Sequence, residues 1–142
     1  MEFKILSVED YDTIIDCWTR AGLSHRPKGR DARSHISREI EGGTATFLAA
    51  MQEEIVVGLV LVTHDGRKGW INRLAVLPEY RQLGIGRSLV RKAERILQEQ
   101  GILIVTCLIE AENPLSMRFF ESLEYVRHPE IVYFAKRMVP DA

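Results

Sequence analysis

Two cysteines, Cys17 and Cys107, are all that the 142-residue chain contains. That is too few for a disulfide framework, and a reducing cytoplasm is the simpler setting. Long hydrophobic runs are also missing. The longest, Ile55 to Val62, includes Gly58 and is far too short to cross a bilayer. The opening "MEFKILSVEDYD" turns acidic at once and has no signal-peptide core. Charge of one sign is not in excess: 19 Lys and Arg stand against 20 Asp and Glu, a net charge of -1. Nothing in that balance points to nucleic acid or to an anionic membrane. His25, His35 and His128 have no metal-ligand spacing with either cysteine, so no metal is expected. Repeats, low-complexity tracts and linkers are absent. What is there is ordinary globular material, 46% hydrophobic and 27% charged, enough for one domain over residues 1–142 with a sizeable core.

Alternation of Phe3 and Ile5 with Glu2 and Lys4 predicts a first strand. Ser7, with Asp10 three residues on, makes an acidic capping box. Tyr11, Ile14, Ile15 and Trp18 then recur at helical spacing as far as Gly22. "LSHRPKGR" is a basic loop, and Asp31 is placed to cap a short second helix carrying Ile36 and Ile40 up to Gly42 and Gly43. "TATFLAAM", "IVVGLVLVTH" and "WINRLAVL", separated by "QEE" and "DGRKG", predict three sequential antiparallel strands. Leu89, Val90, Ala93, Ile96 and Leu97 mark a long helix ending at Gly101. "ILIVTCLI" reads as a buried strand, parallel to the one before it because a helix makes the crossover. Asn113-Pro114 begins a helix that buries Leu115, Phe119, Phe120 and Leu123. Short strands near Tyr125 and over "IVYFAKRM" close the order β-α-α-β-β-β-α-β-α-β-β. The fold class is α+β, a mixed and mostly antiparallel sheet flanked by helices.

One junction stands apart. "PEYRQLGIGRSLV" joins a strand ending at Val76 to the long helix, with Gly84 and Gly86 at the join. Glycine costs about 1 kcal/mol relative to alanine inside a helix. A helix N-terminus offers unpaired N–H groups and the positive end of its dipole, which favour an anion. Bare backbone at Gly84 and Gly86 would let a phosphate approach, with Arg81 and Arg87 adding charge. A tight turn alone also accounts for the glycines. A Walker loop requires Gly-Lys-Ser/Thr, whereas Gly86 is followed by Arg87-Ser88, and a dinucleotide fingerprint would need glycine at Leu89.

"RQLGIG" resembles the R/Q-x-x-G-x-G/A signature of the GNAT family of N-acetyltransferases, and "LAVLPEYR" resembles the strand and turn preceding it. "NPLSMRFFESLEY" is similar to the family's second motif. The resemblance spans essentially the whole chain and is firmest from Ile71 to Tyr125. It implies acetyl-coenzyme A as donor. The backbone of Gln82, Leu83, Gly84, Ile85, Gly86 and Arg87 would hold the pyrophosphate, with Arg81 beside it. Leu74, Ala75 and Val76 would lie along the pantetheine arm, and the Val76 N–H would polarise the thioester carbonyl. Asn113, Ser116 and Phe119 would line the other side, although a helix cap, a small surface residue and a core aromatic describe the same three positions.

Two residues depart from the family pattern. The second motif's tyrosine, which protonates the departing thiolate in many members, is Phe120 here, and the motif's glycine is Glu124. Attack on a thioester also requires an ammonium of pKa about 10 to lose a proton. Trp70 and Asn72 cannot serve as strong bases, though Asn72 could order a water. Glu110, at the end of "TCLIE", is the preferred carboxylate, with Glu112, Asp65 and His64 as alternatives.

The leading expectation is a cytoplasmic acetyl-coenzyme A-dependent N-acetyltransferase acting on a primary amine by direct attack. Its acceptor would be a small molecule or a peptide. The basic loop "SHRPKGRDAR" suits an acidic or phosphorylated acceptor, or is simply solvated. No nucleic-acid or membrane partner is expected. Trp18 and "IVYFAKRM" offer apolar surface for a homodimer. The competing expectation is a non-catalytic acyl-coenzyme A-binding module, favoured by Phe120.

Overall fold

The computed structural model describes residues 1–142. Strands β1 (Glu2–Ile5), β2 (Ala45–Gln52), β3 (Ile55–His64), β4 (Gly69–Val76) and β5 (Val105–Thr106) form one sheet in that spatial order. The first four are antiparallel neighbours, and β5 runs parallel to β4. Helices α1 (Tyr11–Arg20), α2 (Arg33–Glu41), α3 (Ile85–Glu99) and α4 (Pro114–Ser122) complete the fold. This is the mixed, mostly antiparallel α+β architecture anticipated from the sequence.

Period-two alternation in β2 sends Leu48 and Ala50 to one face and Phe47 and Ala49 to the other. Both faces are apolar because both are covered. Leu89, Val90, Ala93 and Leu97 of α3, with Phe120 and Leu123, fill the first face. Ile14, Cys17 and Trp18 of α1, with Ile36 of α2, fill the second. The turn into α1 is fixed by the Ser7 N–H, which donates to the Asp10 carboxylate at 2.8 Å.

A β-bulge interrupts the β3–β4 ladder. Leu59 faces Ala75 and Leu61 faces Asn72, so Arg73 and Leu74 together oppose Val60. Arg73 takes φ +51°, a left-handed backbone uncommon for a residue with a side chain.

Several expectations are corrected. "ILIVTCLI" is not a buried strand. Only Val105 and Thr106 pair, with Gly69 and Trp70, while Leu103 and Leu108 are exposed. The chain leaves the sheet after two residues, so its flanks have no strand partner, although Ile102 still packs into the core. The two last strands of the expected order do not form. Tyr125 instead closes the end of α4, its N–H donating to the Phe120 carbonyl at 3.0 Å, and Ile131 to Met138 lie exposed outside any ladder. A β5 of two residues gives them almost no edge to pair with. Leu115 points to solvent rather than into the core. Ala32, not Asp31, precedes α2, because the Asp31 carboxylate is drawn inward to other donors. Trp18 is fully buried against Phe47 and offers no surface to a partner.

Candidate active site between two diverging strands

The short β4–β5 pairing has a direct consequence. Beyond Trp70 and Thr106 the two strands part, and a cleft of about 300 Å³ opens between them. Ile71, Arg73 and Leu74 of β4 line one wall, and Cys107, Leu108, Ile109 and Glu110 line the other. Asn113, Ser116, Phe119 and Phe120 from the start of α4, with Leu23 after α1, close it. Six residues singled out from the sequence therefore meet here: Leu74, Glu110, Asn113, Ser116, Phe119 and Phe120.

Val76 presents its backbone to the same gap. The Leu77 N–H donates to the Val57 carbonyl at 2.9 Å, so the ladder's alternation turns the Val76 N–H and C=O away from β3. β5 pairs only with Gly69 and Trp70, which leaves that N–H free. The Val76 carbonyl accepts from Arg81 Nε at 3.0 Å. Ala75, by contrast, turns its methyl into the core beside α1.

At the glycine junction, none of the backbone N–H groups from Gln82 through Arg87 has a hydrogen-bond partner in the chain. The first helical bond of α3 runs from the Ser88 N–H to the Gly84 carbonyl at 3.1 Å. Gln82 and Gly84 both have positive φ, +63° and +82°, which curls the loop into the helix. Gly84 needs no bare Cα for space, since a Cβ there would meet nothing within 4 Å; its backbone angle is the reason for glycine. Gly86 differs: its φ is not left-handed, and a Cβ would sit 3.4 Å from the Phe119 ring and 3.9 Å from Leu74, ordinary contact distances, so neither backbone angle nor packing within the chain requires glycine there. Leu83 is exposed and Ile85 is buried in the core, so each offers the loop only its backbone. Arg87 is exposed at the first turn of α3. Arg81 is committed elsewhere, since its Nη2 donates to the Ala21 carbonyl at 3.1 Å as well. It ties the end of α1 to the end of β4.

The chemistry of the walls is uneven. Glu110 is the only carboxylate lining the cleft, and its side chain makes no ion pair or hydrogen bond. The alternatives lie elsewhere. Asp65 accepts from the Arg67 and Lys68 N–H groups in the β3–β4 turn, and these bonds hold its carboxyl below the usual range. His64 Nδ1 accepts from the Gly66 N–H in that turn. Asn72 donates to the Thr63 hydroxyl at 3.0 Å. Glu112 is exposed outside the lining. Asn113 does cap α4, its Oδ1 accepting from the Ser116 N–H at 3.2 Å, while also facing the cleft. Burial pushes the Cys107 thiol up to about 11, so it stays neutral. Tyr125 is no substitute for Phe120: its hydroxyl donates to Glu94 on α3 at 2.7 Å and does not reach the cleft. Burial, then that bond, raises its pKa well above the usual phenol range.

The sequence reading missed Arg73, Leu23 and Cys107. A signal for Arg73 existed. Asn72 and Arg73 are adjacent polar residues in "WINRLAVL", and two in a row break the alternation of a regular strand.

Residues 11–125 match the model of the acetyltransferase (GNAT) family. The chain belongs to that family, and its class of activity is N-acetyl transfer. An acetyltransferase of Photorhabdus laumondii is 31% identical over 142 residues, covering 99% of this chain and 98% of that one. A second, from Sodalis glossinidius, is 28% identical over 141 residues, covering 99% and 98%. Among solved structures, AAC(6')-Iy in complex with the bisubstrate analogue CoA-S-monomethyl-acetylneamine superposes with a TM-score of 0.79 at 16% identity, covering 96% of this chain and 97% of that one. The PaiA N-acetyltransferase of Thermoplasma acidophilum, in complex with coenzyme A, gives 0.69 at 24% identity, covering 87% and 89%. At these identities the structures share the fold.

Proposed function

We propose that this chain transfers an acetyl group from acetyl-coenzyme A to a primary amine by direct attack in the cleft between β4 and β5. The observation that carries the reading is the set of unpaired main-chain donors that follow Leu74 out of the cleft: Val76 on the diverging strand, and Gln82 through Arg87 at the N-terminus of α3, where Gly86 lies beside Phe119 and Leu74. Such donors favour negative charge, a pyrophosphate at the helix end and a developing oxyanion at the strand. The names of the solved relatives, which include complexes with coenzyme A, point the same way.

Acetyl-coenzyme A supplies an acetyl thioester. Around it, the Gln82–Arg87 amides would hold the phosphates, and the outward-turned Val76 backbone would face the pantetheine arm beside Leu74 and Phe119. Asn113 and Ser116 bound the far wall. Glu110 accepts the ammonium proton. No side chain replaces the missing phenol at Phe120, so the thiolate takes its proton from solvent. A thiolate of pKa near 8.5 is a tolerable leaving group without assistance.

The acceptor is read as a small-molecule or peptide amine, in line with the acetylneamine portion of the analogue bound by AAC(6')-Iy. Residues 1–142 act as a single acetyltransferase domain of the cytoplasm, without metal. We further read it as a homodimer joined through Ile131 to Met138, where Ile131, Val132, Tyr133, Phe134 and Met138 are all exposed. Sedimentation showing only monomer at micromolar concentration would reject that assembly.

The deciding experiment is thiol release from acetyl-coenzyme A across a panel of amines including tyramine, spermidine, neamine and short peptides. Turnover with any of them supports the enzyme. Tight acetyl-coenzyme A binding with no turnover would instead indicate the non-catalytic module.

A further inference from the structure

Asp31 is the one charged residue in the buried interior, 4% exposed. A carboxylate there needs partners, because leaving water is costly unless the charge is compensated. Its Oδ2 accepts from the Arg73 guanidinium at 2.7 Å and from the Arg26 N–H at 2.6 Å. Its backbone carbonyl accepts from the Tyr11 hydroxyl at 2.7 Å. Arg73 then makes two more contacts. Nη1 donates to the Ser24 carbonyl at 3.2 Å, and the guanidinium lies over the Trp18 ring, 4.6 Å from its centroid.

These contacts meet at an unusual place. Arg73 stands on the β4 bulge in left-handed backbone, and the same residue is part of the cleft lining. One residue therefore touches α1 through Trp18, both ends of the 23–31 loop through Ser24 and Asp31, and the cleft itself. Leu23, where that loop begins, is in the same lining. No hydrogen bond or ion pair joins Asp31 or Arg73 to Val76 or to Gln82 through Arg87.

We propose that Asp31 and Arg73 form a latch that holds the 23–31 loop as the acceptor-side wall of the cleft, making Arg73 a positioning residue for amine recognition and not for acetyl-coenzyme A. The proposal rests on the cleft reading above. A planar guanidinium suits the task, since it bonds Asp31 and Ser24 at once while stacking on Trp18; a lysine has one compact charge and no flat face.

The test compares wild type with Arg73→Gln, Asp31→Asn and Arg73→Lys. The first readout needs no acceptor: trypsin cleavage after Lys28 and Arg30, both exposed in the loop, while Arg26 is protected by Pro27. The second is the acetyl-coenzyme A Kd by calorimetry. The third is KM and kcat for whichever of tyramine, spermidine or neamine the wild type acetylates. Arg73→Gln and Asp31→Asn should speed loop cleavage about tenfold or more and raise the amine KM to a similar degree. Kd for acetyl-coenzyme A should stay within about twofold and kcat within about threefold. Arg73→Lys should fall between. Unchanged cleavage in a folded Arg73→Gln, or a loss of acetyl-coenzyme A affinity matching the loss in amine KM, overturns the latch. If Arg73→Gln does not fold, Arg73→Lys with wild-type cleavage and KM overturns it. If the wild type acetylates none of these amines and none of the short peptides, the enzyme reading fails on its own, and the latch is decided by loop cleavage and Kd.

Discussion

The Phe120 ring meets the Tyr125 ring edge-on, with centroids 5.2 Å apart and planes at 74°. Phe119 stacks on Phe120 in the same fashion from the other side, at 5.1 Å and 85°. Phe120 thus joins the cleft to the core. Phe120→Ala should destabilise the fold by about 3–5 kcal/mol, the usual range for a buried phenylalanine, as read by urea denaturation. Phe120→Tyr keeps the ring and restores a phenol at the cleft. It should raise kcat at unchanged acetyl-coenzyme A affinity. A drop in kcat with the fold intact would show that Phe120 serves packing instead of standing in for a lost acid.

The two junction glycines should respond differently to substitution. Gly84→Ala meets no atom but must hold φ +82°, which should lower stability by about 1–2 kcal/mol while leaving acetyl-coenzyme A binding largely intact. Gly86→Val has acceptable backbone angles but places methyl groups beside Phe119 and Leu74, where the backbone now stands bare. Saturating acetyl-coenzyme A, at 100 times its Kd, stabilises wild type by about 2.7 kcal/mol. In Gly86→Val most of the corresponding Tm rise should vanish. An unchanged rise in a folded variant would refute the pyrophosphate role of this loop.

Glu110 is tested by pH. With the acceptor's ammonium and the base as the only participants in proton loss, kcat/KM should increase with pH through one ionisation. Glu110→Gln should lower kcat/KM by about 10²- to 10⁴-fold and remove that ionisation. An identical profile in the variant would dismiss Glu110 and leave a water or a backbone carbonyl as the proton acceptor.

Both cysteines make stability depend on alkaline pH. Burial raises the thiols of Cys17 and Cys107 to about 11. Unfolded thiols ionise near 8.5. Above that value the unfolded chain releases protons that the native chain keeps, so the native state binds more protons and stability falls as pH rises. The contribution is whole below about pH 8.5 and is lost by about pH 11. Urea melts across this window should show a shallower decline in Cys107→Ser than in wild type. A steeper or equal decline would contradict the assignment.

The sequence foretold most where local rules and packing agree. The acidic box at Ser7 and Asp10, the stripes of α1 and α3, and the alternation in β2 all recur in the structure because burial enforces the same period that the sequence displays. It misled where a long-range contact outbid a local one. Asp31 looks like a helix cap and is a buried partner of Arg73, 42 residues away in the chain. Arg81 looks like a free phosphate ligand, yet two backbone carbonyls hold it. "ILIVTCLI" is apolar enough for an interior strand, but pairing with β4 stops after two residues. The cleft itself was legible only through family resemblance, since no pattern in "GWINRLAV" announces where two strands will separate.

The donors gathered around the cleft belong to the main chain, and that has an evolutionary consequence. A binding surface made of peptide N–H groups is set by the path of the backbone, so nearly any side chain can drift without dismantling it. What the path does require is local: a left-handed Gly84 and a strand that parts from its neighbour. A lineage can then rewrite its acceptor wall while the donor side is inherited with the fold.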